Sequence, residues 1–153
     1  MSKYYWLCSY PLGAGSIINP GNWGRMVKHY TPQRASNPWL ALKEYIFENV
    51  RLRNYLDKPS RLESIFLCES LENLQRFKSE CNGSRDLDLA FEVEILEEKA
   101  NIFRTDWQFV NISQAESIKD LEKKADVYWN PQGEIKNPEI LTTSKIRVLN
   151  QLL

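Results

Sequence analysis

Apolar and polar positions follow two rhythms along this chain, and the rhythms predict its elements. YYWLCSY is a short apolar run rich in aromatic residues, so residues 4–9 are expected to form a strand. A glycine-rich stretch, GAGSIINPGNWGR, follows over residues 13–25. Within it SII has the make-up of a very short strand. NPGNW signals a turn, because Pro20 fixes its own backbone and Gly21 frees the next position. RMVKHY is short enough to be helix or strand, and residues 31–38, polar with two prolines, are expected to be a loop.

The clearest helical rhythm is NPWLALKEYIFENVRLRNYL. Asn37 is the expected cap and Pro38 the first helical residue, and the apolar positions 39, 40, 42, 46, 47, 50 and 52 fall mostly on one face. DKPS ends it. RLESIFLCE is expected to be a buried strand carrying Ile65, Phe66, Leu67 and Cys68. SLENLQRFKSE predicts a second helix that starts near Ser70, with Leu71, Leu74 and Phe77 along one side. LAFEVEILEE predicts a strand, and NIFRTDWQFVNI a strand pair or one bent strand. SQAESIKDLEKKADVYW predicts a third helix, with Ser113 and Glu116 in capping-box spacing. EILTTSKIRVLNQLL closes with one or two strands. The fold class is therefore α+β. No βαβ series with a GxGxxG loop is present, which argues against a doubly wound dinucleotide fold.

Composition narrows this further. A chain of 153 residues suits one domain over residues 1–153 and can bury a core without staples. Twenty basic and twenty acidic residues cancel, which argues against a globally basic nucleic-acid clamp or a membrane-surface binder but permits a local basic cleft. Cys8, Cys68 and Cys81 form no CxxC pair and no disulfide framework. With no apolar run near 18 residues and no signal-peptide layout, a reduced cytoplasmic setting away from membranes is expected. His29 is the single histidine, so a zinc site is not expected and a histidine-based triad has one candidate base.

Five fragments in order, GSIINPGNWGR, SRLESIFLCESLENLQRF, FEVEI, ADVYW and EIL, resemble a small bacterial family of uncharacterised domains related to the ADP-ribosyltransferase fold. The resemblance covers most of the chain. Its nearest approach to a signature runs from Ile65 to Phe77, with Leu74 where alanine is usual. It implies an α+β fold, a split pair of twisted β-sheets with three flanking helices and NAD in the cleft between the sheets. It implies mono-ADP-ribosyl transfer from NAD to an unidentified macromolecular acceptor, protein or nucleic acid. It also implies three site positions. The late glutamate maps to Glu139. The middle-strand serine or tyrosine maps to Ser64 or Tyr128. The first-strand arginine or histidine has no counterpart in YYWLCSY, so Tyr5, Cys8 or Ser9 would stand in, or Arg25 would reach across.

The chemistry behind these assignments is specific. Breaking a glycosidic bond to a cationic leaving group builds positive charge on the ribose, and a fixed carboxylate such as Glu139 stabilises it. Glu134 is the alternative carboxylate. Arg25 offers a guanidinium fork to a diphosphate, Asn22 a hydrogen bond to ribose or carboxamide, and Trp23 a stacking face. Arg61, with Ser60 and Ser64 beside it, could hold a phosphate or merely pair with Asp57 and Glu63 on the surface. His29, Asp106 and Trp107 are further candidates against plain surface or capping roles, and Tyr128 with Trp129 either walls the cleft or seals the core. Three rivals stand beside the transferase: a non-catalytic protein- or nucleotide-binding domain of the same fold, an unrelated α+β domain, and a metal-dependent nuclease using Asp86, Asp88, Glu92 and Glu94. In a catalytic fold Glu139 and Arg25 should open into one cleft near an aromatic ring. In a binding relative that cleft should be filled.

Overall fold

The computed structural model of the protein describes residues 2–34, 37–97 and 99–152. In chain order the elements are β1 (Lys3–Cys8), β2 (Ile17–Ile18), α1 (Asn22–Lys28), α2 (Trp39–Asn54), β3 (Ile65–Leu67), α3 (Leu71–Glu80), β4 (Leu89–Ile95), β5 (Ile102–Asp106), α4 (Ile118–Trp129), β6 (Pro138–Thr142) and β7 (Ile146–Gln151). Short 3-10 turns cover Arg61–Glu63 and Trp107–Val110. The strands form two antiparallel sheets, ordered β1-β4-β7-β2 and β3-β6-β5. The fold is thus mixed α+β with two sheets, as expected, but with four helices rather than three.

Local chemistry explains where the elements depart from the sequence reading. Gly21 sits in the left-handed region at φ 96°, a conformation that strains any side chain, and α1 starts on the next residue. NPGNW is therefore the entrance to a helix. The predicted strand RLESIFLCE is shorter than expected, because the Ser60 hydroxyl accepts from the Leu62 N–H and coils Arg61–Glu63 into a 3-10 turn. NIFRTDWQFVNI is one strand ended by a second such turn, where the Asp106 carboxylate accepts from the Gln108 N–H at 2.9 Å. The cap of α4 is Ser117 with Asp120, which exchange both capping-box bonds. Ser113 and Glu116 make only a local bond ahead of the helix. At α2 the cap is as expected: Asn37 Oδ1 accepts from the Trp39 N–H at 3.1 Å, and Pro38 already has helical angles.

The two sheets meet along β1 and β3. Tyr5 and Cys68 exchange both backbone hydrogen bonds, at 2.9 and 2.8 Å, which ties the sheets edge to edge. Ile65, Leu67 and Ile140 of the three-stranded sheet then pack against Phe91, Val93, Ile95, Ile146 and Val148 of the four-stranded one. The space between the sheets is filled by this apolar cluster. The other face of the three-stranded sheet carries Leu141 and Phe103 beneath Phe47 and Val50 of α2 and Ala125, Tyr128 and Trp129 of α4. Successive β6 residues point to opposite faces, so Glu139 shares the helix-covered face with Leu141. No helix among the described residues is long and apolar enough to cross a membrane.

Candidate functional site

Strand register brings Glu139 into a row with residues far away in sequence. Thr105 pairs with it directly. On its other side Leu67 pairs with Ile140, so the next residue, Cys68, carries the register on to Glu139. Cys68 in turn faces Tyr5. Residues 5, 68, 139 and 105 thus form one line across β1, the end of β3, β6 and β5. The Cys68 thiol records this neighbourhood: burial, and then the Glu139 charge, push it up to about 12, with Arg76 opposing.

Above the row lies a buried polar network. Tyr128 Oη donates to Glu139 Oε2 at 2.8 Å and accepts from Arg61 Nη1 at 2.7 Å. Arg61 Nη1 also lies 3.4 Å from Glu139 Oε2. The rest of the guanidinium forks onto Glu44, Nε to Oε2 at 2.9 Å and Nη2 to Oε1 at 3.0 Å. The Arg61 guanidinium stands 4.7 Å from the Phe66 ring centre and 5.2 Å from that of Tyr128. Lys43 closes the cluster, its Nζ 3.4 Å from Glu44 Oε1. Below, Ser60 donates to Glu48, which is itself paired with Arg51, and Ser64 donates to the Ser60 carbonyl at 2.6 Å.

The protonation states follow from burial set against neighbouring charge. Burial alone would raise the Glu44 carboxyl, but Arg61 and Lys43 outweigh it and hold the group at about 2. For Glu139 burial wins, and its pKa lies above the usual carboxylate range despite Arg61 and the Tyr128 hydroxyl. Burial lowers the Lys43 ammonium, opposed chiefly by Glu44. Burial works against the Arg61 charge too, yet Glu44, Tyr128 and Glu139 overcome it and keep Arg61 firmly cationic. Glu139 Oε1 takes no hydrogen bond from the described residues. The fully buried side-chain polar atoms without a partner are, among those residues, Trp23 Nε1 and Arg76 Nε. Glu139 Oε1 therefore keeps contact with solvent, through the tenth of the side chain that stays accessible.

The glycine stretch contributes by seating α1. A Cβ on Gly24 would meet the Leu62 carbonyl oxygen at 1.9 Å, so only glycine lets α1 cross the Arg61 turn this closely. That contact places Trp23 over the network. Its indole N–H helps to lower the Glu44 carboxyl, although its geometry falls short of a full hydrogen bond. Its ring packs edge-on with Tyr30, 6.3 Å between centres.

Of the residues nominated from the sequence, Arg61, Tyr128 and Glu139 meet directly, with Ser64 and Trp23 at the margin. The others lie elsewhere. Arg25 is exposed on α1 and donates to Asn22 at 2.6 Å, so these two recognise each other. Cys8 packs on the inter-sheet cluster at the far end of β1, and Ser9 is exposed beyond it. Tyr5 is the first-strand residue in the same row as Glu139, with Cys68 between them. Tyr128 is unsuited to stacking on a ligand ring, because it is fully buried and Phe47, Phe103 and Trp129 pack against it. Arg61, expected as a phosphate ligand, directs four hydrogen bonds to protein groups. His29 lies along a shallow cavity of about 700 Å³ over residues 28–34. Asp106 and Glu134 line another of about 240 Å³ with Phe109, Val127 and Lys136. Neither cavity reaches Glu139, and Glu139 and Arg25 share neither. Glu92, Glu94 and Asp88 pair with Lys3, Arg147 and Arg85. Among the described residues no three His, Cys, Asp or Glu side chains cluster to hold a metal ion.

Sequence reasoning missed Lys43, Glu44 and Cys68. The first two had a signal: positions 43, 46, 47 and 50 share the buried face of α2, so a charged pair at 43–44 falls where apolar residues were expected. Cys68 had none, because its value lies in cross-strand register.

No curated protein matches the chain in sequence. A family model described as "Protein of unknown function (DUF2441)" matches residues 17–153, from β2 through β7 and therefore across every member of the network. The chain belongs to this DUF2441 family.

Proposed function

We propose that this domain is an NAD-dependent mono-ADP-ribosyltransferase acting on a macromolecular acceptor, with Glu139 as its ribose-binding carboxylate. The observation that supports this reading is that Glu139, the late glutamate, bonds Tyr128, one of the two middle-position candidates, and lies in one row with the first-strand residue Tyr5 across the end of β3. Arg61 and Tyr128 fix one oxygen of that glutamate, and the other keeps an open side. A carboxylate so held can accept from the ribose 2′-hydroxyl and stabilise positive charge building on the sugar as nicotinamide departs with the bonding electron pair. NAD would supply the ADP-ribosyl group. Binding the ribose end of NAD here would require the cover over Glu139 to open, since neither cavity reaches it and the unpartnered Trp23 N–H is buried beside Glu44. For the diphosphate the chain offers Arg25, which must first release Asn22.

A specific observation favours the second reading, a non-catalytic protein- or nucleotide-binding domain. The space between the sheets is packed with apolar side chains, and Arg61 is already engaged. The discriminating experiment is an NAD titration that follows nicotinamide release, beside Glu139→Gln. The transferase reading expects saturable binding with slow release in the wild type and a loss of about 10²-fold or more in the variant. Binding without release, unchanged in the variant, would select the binding domain. No binding at millimolar NAD would remove NAD from both readings.

A further inference from the structure

The outward face of α2 is apolar where a solvent-facing helix is normally charged. Leu42, Tyr45 and Leu52 are 37%, 49% and 51% exposed, and Leu56, just past the helix end, is 71% exposed. Asn49 is the polar member of the same stripe. The helix can afford no charge there because its charges are used elsewhere. Lys43 and Glu44 turn inward, Arg51 pairs with Glu48, and Arg53 pairs with Glu122 on α4. The inward face thus combines Ile46, Phe47 and Val50 with the buried Lys43–Glu44 pair, and the opposite, apolar face is uncovered.

The spacing of the uncovered face indicates what covers it. Leu42, Tyr45, Asn49 and Leu52 are separated by three, four and three positions, the interval that keeps a seam along one side of a helix. This interval is also symmetric about residue 47. A two-fold axis there lays α2 antiparallel on its own copy. Leu42 then meets Leu52 of the partner subunit, and Tyr45 meets Asn49 of the partner subunit. An isologous interface needs such self-complementarity, and an asymmetric partner would not. A single asparagine in the seam fixes register, here with a tyrosine hydroxyl opposite to satisfy it. No unpaired charge faces its like across the axis. The stripe offers on the order of 500 Å² per subunit, so two copies bury about 1,000 Å², which reaches the threshold of a specific interface.

We infer that this protein is a homodimer joined through antiparallel α2 helices, with the polar network of each subunit on the inward side of the same helix. Sedimentation equilibrium on the full chain tests it. The wild type is expected to be a dimer at tens of micromolar. Leu42→Lys and Leu52→Glu should each weaken association at least a hundredfold, since each puts two unpaired charges into the seam. Their circular dichroism spectra and melting temperatures as monomers should stay wild-type-like, since both side chains are already exposed. The double variant L42K/L52E should dimerise again, because in the antiparallel register every new ammonium faces a new carboxylate. A wild type that stays monomeric to several hundred micromolar overturns the inference, as do single variants that dimerise normally. A double variant that remains monomeric overturns the antiparallel register. If the monomeric wild type instead binds an unrelated amphipathic helix through Leu42 and Leu52, the stripe serves another partner and the dimer is excluded.

Discussion

Strand β6 has two faces, and they are held by opposite physics. Ile140 looks into the space between the sheets, where every neighbour is apolar and burial alone stabilises. Glu139, one residue away, looks toward α2 and α4 into a cluster of charges that is almost as well buried. The first face gains free energy from leaving water. The second loses it, and survives because each charge finds a partner: Arg61 for Glu44, Tyr128 and Arg61 for Glu139. Buried ion networks of this kind give little net stability compared with apolar residues of the same volume, but are costly to break. The difference teaches where to look for function. A fold that could have placed a leucine at position 139 keeps instead a carboxylate of raised pKa, one oxygen of which is open.

Breaking each face separately gives the largest expected effects. Arg61→Met strips the guanidinium from Glu44 and Glu139, leaving Lys43 as the cation beside Glu44, and should cost about 3–5 kcal/mol in urea unfolding. Ile140→Ala on the opposite face should cost about 2–5 kcal/mol through lost burial and a cavity. The magnitudes overlap, so pH separates them. The Arg61→Met loss should shrink as the solution is acidified from pH 7 toward 4, because protonating the orphaned carboxylates removes the unpaired charge. The Ile140→Ala loss should stay level. Equal pH profiles for the two variants would erase the distinction between the faces.

A middle-sized effect is expected at Gly24. Alanine there collides with the Leu62 carbonyl and must push α1 off the Arg61 turn. The strain should cost about 1–3 kcal/mol, and Trp23 fluorescence should shift as the indole leaves the network. An unchanged spectrum would mean that α1 does not depend on this contact. A further effect is the acid limb of the wild type. The Glu44 pKa is depressed to about 2, so its stabilisation is complete above the unfolded value near 4.5 and is lost as pH falls from there through about 2. Glu44→Gln should flatten that limb in acid unfolding followed by circular dichroism.

Much of this was legible in the chain. Local signals placed β1, α2, α3, β4 and the cap at Asn37, because apolar period and capping chemistry act within a few residues. Side-chain chemistry nominated Arg61, whereas Tyr128 and Glu139 were nominated through the family resemblance. The cap of α4 was misplaced by four residues, since Ser113–Glu116 and Ser117–Asp120 have the same spacing and only the backbone decides between them. Arg25 and Asn22 were nominated for their chemistry, but their helix turns them to solvent and toward each other.

The sequence by itself determined the class of fold, the approximate positions of α2, α3 and α4 and the presence of one carboxylate late in the chain beside strand-forming residues. Hydrophobic period and side-chain type are local properties, and they are written in the order of residues. The tertiary structure decided which face of β6 Glu139 occupies, that Tyr5 and Cys68 stand in its row, and that Lys43 and Glu44 of α2 reach inward to Arg61. It also decided that Gly24 is a point of contact between α1 and the Arg61 turn. These depend on strand register and on the crossing of one helix over a turn, which join residues such as Glu44 and Arg61, 17 positions apart, and Tyr5 and Cys68, 63 apart; of them only the charged pair at 43–44 left a trace in the helical period.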